Sequence, residues 1–292
     1  MIQFSNVIKK FSRNEVLKGI NLSINRGQRV ALVGSNGAGK TTLIRCLLGE
    51  YNCSGSVTID DMNPREFREE VLSKVGFVPQ LPPPLRMPVG QLIRFAASLC
   101  AADPERMNQV AEMLGFDARY YHHQPFVKLS GGQKQKLLIA IALGRDSELL
   151  VMDEPAANLD PEARHILFKL LAQKQQTSAM LISSHRLDEV ATLVNRVVEM
   201  DQGKIVLDDE VADLVDMSSQ LICRVRMIRF EPAFAKALAE WGFKSITDDR
   251  QWTGFVAGPD RLRFLGMLSR YAALLSAIEM NDVDESRSEH VA

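Results

Sequence analysis

Gly34-Ser35-Asn36-Gly37-Ala38-Gly39-Lys40-Thr41 decides how the rest of the sequence reads. These residues fit G-x-x-x-x-G-K-[ST] throughout. An apolar run, Arg29-Val30-Ala31-Leu32-Val33, precedes them, and a helical pattern, Thr42-Leu43-Ile44-Arg45-Cys46-Leu47-Leu48, follows. Strand, glycine-rich turn and helix in that order build a phosphate loop. Glycines let the backbone fold so that successive N–H groups face an anion, and the helix start adds its partial positive charge. On this reading the segment from Gly34 to Gly39 cradles phosphate oxygens. Lys40 reaches the β- and γ-phosphates, Thr41 offers its hydroxyl to Mg²⁺, and Thr42 bonds an α-phosphate oxygen. A glycine-rich turn without a ligand is the alternative, and the flanking strand and helix weigh against it.

Further along, Leu149-Leu150-Val151-Met152-Asp153-Glu154 is an apolar run closed by two acids. A buried parallel strand of this kind delivers its acids to the carboxyl edge of a sheet, beside a phosphate loop. Asp153 is expected to hold Mg²⁺, directly or through water. Glu154, placed on the other side by the alternation of side chains along a strand, is expected to face an attacking water. The competing reading is a solvated turn leading into Pro155. Between these elements, Leu129-Ser130-Gly131-Gly132-Gln133 precedes the apolar helix pattern Leu137 to Leu143. Ser130 is a natural N-cap and the glycines permit close backbone approach, which makes a second helix start suited to an anion.

The first two thirds of the chain read as α/β, with further strands predicted at 75–78 and 179–183. From Leu81 to Leu143 the pattern turns helical, with Leu92, Phe95, Ala96 and Leu99, and then Val110, Met113 and Leu114, at helical spacing. Pro82-Pro83-Pro84 excludes helix at its opening. Val197 to Met200 and Lys204 to Leu207 flank Asp201-Gln202-Gly203 as a hairpin. Beyond about Ser218 the spacing predicts strands at 221–228, 252–257 and 274–280 and helices at 232–241 and 260–271. Short strands with two helices fit a small α+β appendage of ferredoxin-like kind. The polar tail from Asp282 is expected to be mobile.

Composition bounds the function. Of 292 residues 46% are hydrophobic and 24% charged, with 35 Lys+Arg against 36 Asp+Glu. These values exclude disordered, collagenous and disulfide-scaffold chains. The even charge balance disfavours a surface devoted to nucleic acid. The apolar runs fall short of the roughly 18 to 20 residues a spanning helix needs, so the chain is not expected to cross a membrane by itself. With no secretory pattern at the N-terminus and no Cys-x-x-Cys pair among Cys46, Cys53, Cys100 and Cys223, a reduced, cytosolic protein is expected. His122 and His123 lack a third ligand and read as solvated loop residues.

These motifs, in this order, resemble the nucleotide-binding subunits of ATP-binding cassette (ABC) transporters over roughly residues 1 to 215. The phosphate loop matches Walker A and the paired acids Walker B. Gln80, in Gly76-Phe77-Val78-Pro79-Gln80, matches the Q-loop; residues 129 to 133 match the LSGGQ signature verbatim. Asn158-Leu159-Asp160 matches the D-loop, and His185 in Ser183-Ser184-His185 the switch histidine. Phe11 takes the place of the aromatic that stacks on adenine, commonly tyrosine, keeping the ring face and losing the hydroxyl. Ala156-Ala157 stands where many members carry Thr or Ser, a departure of little expected chemical consequence.

The resemblance implies a P-loop NTPase of the ABC ATPase fold: α/β, with a mixed sheet, a helical subdomain at about 81–145 and a small C-terminal α+β domain at 216–292 after a cassette at 1–215. It implies ATP and Mg²⁺ as cofactors, with Thr41, Gln80 and Asp153 at the metal. Two such domains pack head to tail, so that Ser130, Gly131, Gly132 and Gln133 of one copy meet the γ-phosphate held by the other, with Asp160 at the same interface. Glu154 is the implied general base, Gln80 the sensor of metal and water, His185 the γ-phosphate contact and Lys40 the phosphate cation. The implied partners are a second copy and integral membrane permease subunits, with the chain on the inner face of the cell membrane through them. A single cassette with a short appendage resembles bacterial ATPases paired with export permeases. A soluble ABC ATPase acting on DNA or ribosomes is the competing class, disfavoured by the charge balance and by the lack of coiled coils.

Overall fold

The computed structural model describes all residues except 175–177, 186–189, 192, 211–219, 247–249, 258–259, 270, 272–273 and 283–292. The chain divides into two units, Met1–Val211 and Ala212–Ala292. The junction expected at residues 215 and 216 lies outside the described residues, as does the polar tail beyond Asp282.

In the first unit, β1 (Ile2–Phe11) and β2 (Asn14–Ile24) pair as a long hairpin, and β3 (Arg29–Val33) leads through the phosphate loop into α1 (Lys40–Leu47). β4 (Ser54–Ile59), α2 (Arg68–Ser73) and β5 (Val75–Val78) follow. Next come α3 (Val89–Leu99), α4 (Pro104–Met113), a 3₁₀ turn (Phe126–Lys128) and α5 (Gly131–Leu143). β6 (Leu149–Asp153), α6 (Pro161–Lys174), β7 (Ala179–Ser184) and the hairpin β8 (Arg196–Asp201) with β9 (Lys204–Glu210) complete the unit. An antiparallel sheet runs β2-β1-β4, and a six-stranded mixed sheet runs β5-β6-β7-β3-β8-β9, in which β9 alone is antiparallel to its neighbour.

The apolar runs of β3, β6 and β7 are continuous because these strands are covered on both faces. Alternate residues of β6 enter different cores. Leu149 and Val151 join α1 and the antiparallel sheet, whereas Leu150 and Met152 pack with residues of α5 and α6. The helices α3, α4 and α5 bury a third core around Ile93, Met107, Phe116 and Phe126. Helical periodicity in α3 is correct, but its buried face is Val89, Leu92, Ile93 and Ala97. Phe95 and Leu99 lie 49% and 64% exposed, and Met113 of α4 is exposed as well. His122 is less solvated than its loop position suggests, because its ring fills the space beside Gly90, where a Cβ would come within 2.1 Å of it.

The second unit comprises β10 (Gln220–Met227), α7 (Pro232–Glu240), β11 (Lys244–Ser245), β12 (Gln251–Ala257), α8 (Arg261–Ser269) and β13 (Leu275–Asp282). Its antiparallel sheet has the order β11-β12-β10-β13, the ferredoxin-like arrangement. Phe234, Phe243 and Phe264 fill a separate core, with the rings of Phe243 and Phe264 stacked at 4.9 Å. The last strand runs through Asp282, two residues beyond the 280 expected from its spacing.

The β8–β9 turn bears on the phosphate loop. Gln202 and Gly203 both have positive φ, 45° and 81°, the signature of a tight primed turn. The Gly203 N–H donates to the Ala38 carbonyl at 3.0 Å, and the Gly203 carbonyl accepts from the Lys18 N–H at 2.9 Å. A Cβ on Gly203 would come within 2.1 Å of the Val16 carbonyl oxygen. Gly203→Ala is therefore expected to cost about 2 kcal/mol. Scanning calorimetry should show the first unit melting several degrees lower; an unchanged midpoint would mean that this turn braces nothing.

Candidate functional site

Because β3, β5, β6 and β7 run parallel, their carboxyl ends share one edge of the sheet. Gly34 follows β3, Gln80 stands just past β5, Glu154 follows β6 and His185 follows β7. At Gly34, with φ 143°, a Cβ would lie 2.2 Å from the Met200 carbonyl oxygen, so the loop can pass β8 only as glycine. Ser35, Asn36 and Gly37 form the exposed crest, while Ala38, Gly39 and Lys40 are buried. α1 begins at Lys40 with no acid in its first turn, leaving the positive end of its dipole for an anion. Thr41 and Thr42 are half-buried in that turn. Lys40 Nζ donates to the carbonyls of Gly34 at 2.6 Å and Ser35 at 3.2 Å, and lies 3.9 Å from Glu154 Oε1.

Asp153 and Glu154 are 2% and 7% exposed, so both carboxylates need partners. Asp153 is the last residue of β6, and its Oδ1 accepts the Ser183 hydroxyl at 2.6 Å. Glu154 does not continue the strand. Its φ is +50°, and its N–H donates to Ser183 Oγ at 2.9 Å and to the Ser183 carbonyl at 3.2 Å. The different aim of the two acids therefore comes from a left-handed backbone turn, which corrects the expectation from strand alternation. Glu154 Oε2 lies 2.6 Å from Nδ1 of His185, whose side chain is 53% exposed. Lys40, Asp153, Glu154 and His185 are thus brought together. Ser183 is the residue that sequence reasoning missed. It stands two positions before His185, and it is the register partner of Asp153 across the β6–β7 ladder. A hydroxyl at the end of an otherwise apolar strand was the available signal.

Gln80 is half-buried two residues beyond Val78, whose register partner is Met152, so it stands at the same edge as Glu154. Thr41, Asp153 and Gln80 offer hydroxyl, carboxylate and amide oxygens, a hard donor set. Among the described residues no group of three or more His, Cys, Asp or Glu forms a metal cage. That combination fits Mg²⁺, which binds through one or two carboxylates and completes its shell with phosphate and water oxygens.

The signature segment opens α5. Ser130 Oγ accepts from the Gln133 N–H at 3.2 Å, and Gln133 Oε1 accepts from the Ser130 N–H at 3.0 Å, a reciprocal capping box. Nothing among the described residues would lie within 4 Å of a Cβ on Gly131, while one on Gly132 would meet the Asn158 carbonyl oxygen at 3.1 Å. Behind this open start, Gln135 Nε2 donates to the Pro155 carbonyl at 3.1 Å, and Lys136 Nζ pairs with Asp160 at 2.7 Å. Asp160 also caps α6 by accepting from the Ala163 N–H at 2.9 Å. Its hydrogen bond from Lys136, then that from Ala163, hold its carboxyl below the usual range. Phe11 ends β1 and meets Tyr51 edge-on at 5.2 Å, with Lys9 Nζ 4.7 Å from its ring centre; it stands outside the Lys40–Glu154–His185 cluster.

Comparison with known proteins adds lineage to this geometry. A family model described as ABC transporter matches residues 17–157. Over 214 residues the chain is 34% identical to ATP-binding cassette sub-family A member 10 of Homo sapiens, covering 70% of this chain but only 14% of that protein. It is 32% identical over 210 residues to the energy-coupling factor transporter ATP-binding protein EcfA2 of Clostridium perfringens, covering 68% of this chain and 74% of the relative. It is 32% identical over 231 residues to Nod factor export ATP-binding protein I of Cupriavidus pinatubonensis, covering 77% and 70%. In fold it is similar to a bacterial ABC transporter cassette solved as a dimer, with a TM-score of 0.65 and 23% identity, over 73% of this chain and all of that one. Lys40→Ala removes the one cation that the loop carbonyls hold. ATP affinity is expected to fall about tenfold or more, as read by titration with a fluorescent ATP analogue; an unaltered affinity would contradict the role of Lys40.

Proposed function

The chain belongs to the ATP-binding subunits of ABC transporters and hydrolyses ATP with Mg²⁺ as cofactor, and we propose that two copies close around two ATP molecules to drive separate membrane permease subunits in the direction of export. One observation carries the reading: this chain bears two unlike half-sites. One is the sheet edge with Lys40, Asp153, Glu154 and His185; the other is the open, capped helix start at Ser130. Head-to-tail pairing sets the Ser130 to Gln133 start of one copy against the phosphate loop of the other.

Each residue then has a role that its surroundings permit. The loop from Gly34 to Thr42 binds phosphate oxygens through N–H groups, and Lys40 neutralises the terminal ones. Thr41, Asp153 and Gln80 hold Mg²⁺, which when bound offsets charge on the leaving phosphate. Glu154 accepts a proton from the attacking water or fixes its direction. His185 steadies the Glu154 carboxylate and, half exposed, is free to turn toward the terminal phosphate. Phe11 offers its ring to adenine. Loss of the terminal phosphate removes the bridge to the partner's helix start, and the dimer reopens.

The permease reading is supported by apolar surface on the helical side of the unit. A groove of about 530 Å³ is lined by Leu48, Leu72, Phe77, Leu99 and Ile141, with Arg68 and Arg145 among its polar residues. Leu81, beside Gln80, is 73% exposed. Apolar patches of this kind mark partner sites. Among the described residues no helix is long and apolar enough to cross a membrane, so attachment through other subunits fits. Export is supported by the relative named for export, which matches 77% of this chain.

Glu154→Gln is expected to retain ATP binding, to lose nearly all hydrolysis and to accumulate an ATP-dependent dimer on size-exclusion chromatography. Normal turnover would remove Glu154 as base. Mixing Ser130→Arg chains with Lys40→Ala chains should restore one complete composite site per mixed dimer, seen as recovered ATPase activity; no recovery would refute head-to-tail pairing. Affinity purification from native membranes is expected to bring down a polytopic export permease, whereas ribosomes or DNA would point to the soluble class.

A further inference from the structure

Ser183 is fully buried, at 0% exposure, on β7, where it is the register partner of Asp153. Its single hydroxyl serves both acids of the site. A backbone N–H can only donate, so the 2.9 Å contact with Glu154 N makes Ser183 Oγ the acceptor. The hydroxyl hydrogen is then committed to Asp153 Oδ1, 2.6 Å away. Asp153 thus has one oxygen engaged by Ser183, which leaves its other oxygen for the metal. Glu154, at φ +50°, is in a conformation that side chains larger than glycine adopt at a cost, and the bond from its N–H to Ser183 helps to hold it there. Two residues further on, His185 grips the Glu154 carboxylate at 2.6 Å. The glutamate is thereby held at its backbone by Ser183 and at its side chain by His185.

An apolar residue would suit this strand, since Ala179, Met180, Leu181 and Ile182 are all buried. Packing therefore does not call for a hydroxyl here. We propose that Ser183 is a positioning residue for ATP hydrolysis, orienting the Mg²⁺-holding carboxylate of Asp153 and the backbone turn that aims Glu154. The proposal rests on the reading of Asp153 as the metal acid and Glu154 as the base.

The full-length protein is compared as native, Ser183→Ala, Ser183→Thr and Asp153→Asn, each checked for folding by calorimetry. Two quantities are measured. The first is Mn²⁺ affinity by electron paramagnetic resonance, in the presence of saturating non-hydrolysable ATP analogue. The second is the Mg²⁺ concentration for half-maximal ATPase activity, together with kcat. Ser183→Ala is expected to weaken Mn²⁺ binding and raise the Mg²⁺ requirement by about tenfold, with affinity for the analogue in EDTA within about twofold of native. Ser183→Thr, which keeps the hydroxyl, is expected to restore native metal dependence. A Ser183→Ala protein with native metal dependence overturns the proposal whatever its kcat, because a packing role alone would lower kcat without moving that readout. If Asp153→Asn also leaves metal dependence unmoved, the reading of Asp153 falls and takes the proposal with it. If Asp153→Asn shifts while Ser183→Ala does not, only the role of Ser183 falls. Should Ser183→Ala fail to fold, Ser183→Cys, which fills the site with a far weaker donor, takes its place: a raised metal requirement supports the proposal and a native one overturns it.

Discussion

Two carboxylates buried side by side at the end of one strand are the constraint around which this molecule is arranged. Asp153 and Glu154 are almost inaccessible to water, and a buried charge without partners is among the costliest things a fold can contain. Their compensation comes from different parts of the chain. Lys40 opens α1, while Ser183 and His185 stand at the end of β7. None of these groups is near the acids in sequence. Parallel pairing of β6 with β7, and of β7 with β3, is what brings them together. The sheet's direction is thus a requirement of the chemistry, since an antiparallel neighbour would carry its polar end to the opposite edge.

A second set of ties runs from the acids toward the helical block. Pro155, directly after Glu154, holds Gln135 of α5 through its carbonyl, and Asp160 holds Lys136 of the same helix. α5 also begins with the open Ser130 start. The segment that carries the acids and the helix that opens at Ser130 are therefore tied together by a buried hydrogen bond and an ion pair.

Much of this was legible in the residues themselves. The phosphate loop is a local motif whose glycines have local reasons, and the runs of β3, β6 and β7 are apolar enough to announce burial on both faces. The α+β kind of the second unit was suggested by its short strands and two helices, whereas the two-residue β11 and the order of its sheet were not. What escaped was whatever depends on contacts across the fold. Phe95 and Leu99 have the spacing of a core face, yet Leu92, Ile93 and Ala97 occupy it, because the direction of an amphipathic helix is set by its neighbours. The aim of Glu154 hangs on a single left-handed residue that strand periodicity cannot foresee. Ser183 carries no signal of its own beyond its place at the end of an apolar strand and before a histidine, and only the register of two strands sets it against Asp153. β2 and β4 reveal themselves through pairing with β1, which sequence spacing alone does not specify.

The glycine turn between β8 and β9 gives the molecule an order of assembly. The phosphate loop is encoded early in the chain, yet it is braced by the Gly203 N–H on Ala38 and by the Met200 carbonyl that abuts Gly34, both from the last hairpin of the unit. During synthesis from the N-terminus, the loop is made long before the hairpin that shapes it. Closing so distant a contact is a slow, late step in folding. Until that hairpin is made, the loop lacks the Gly203 N–H and the Met200 carbonyl that brace it.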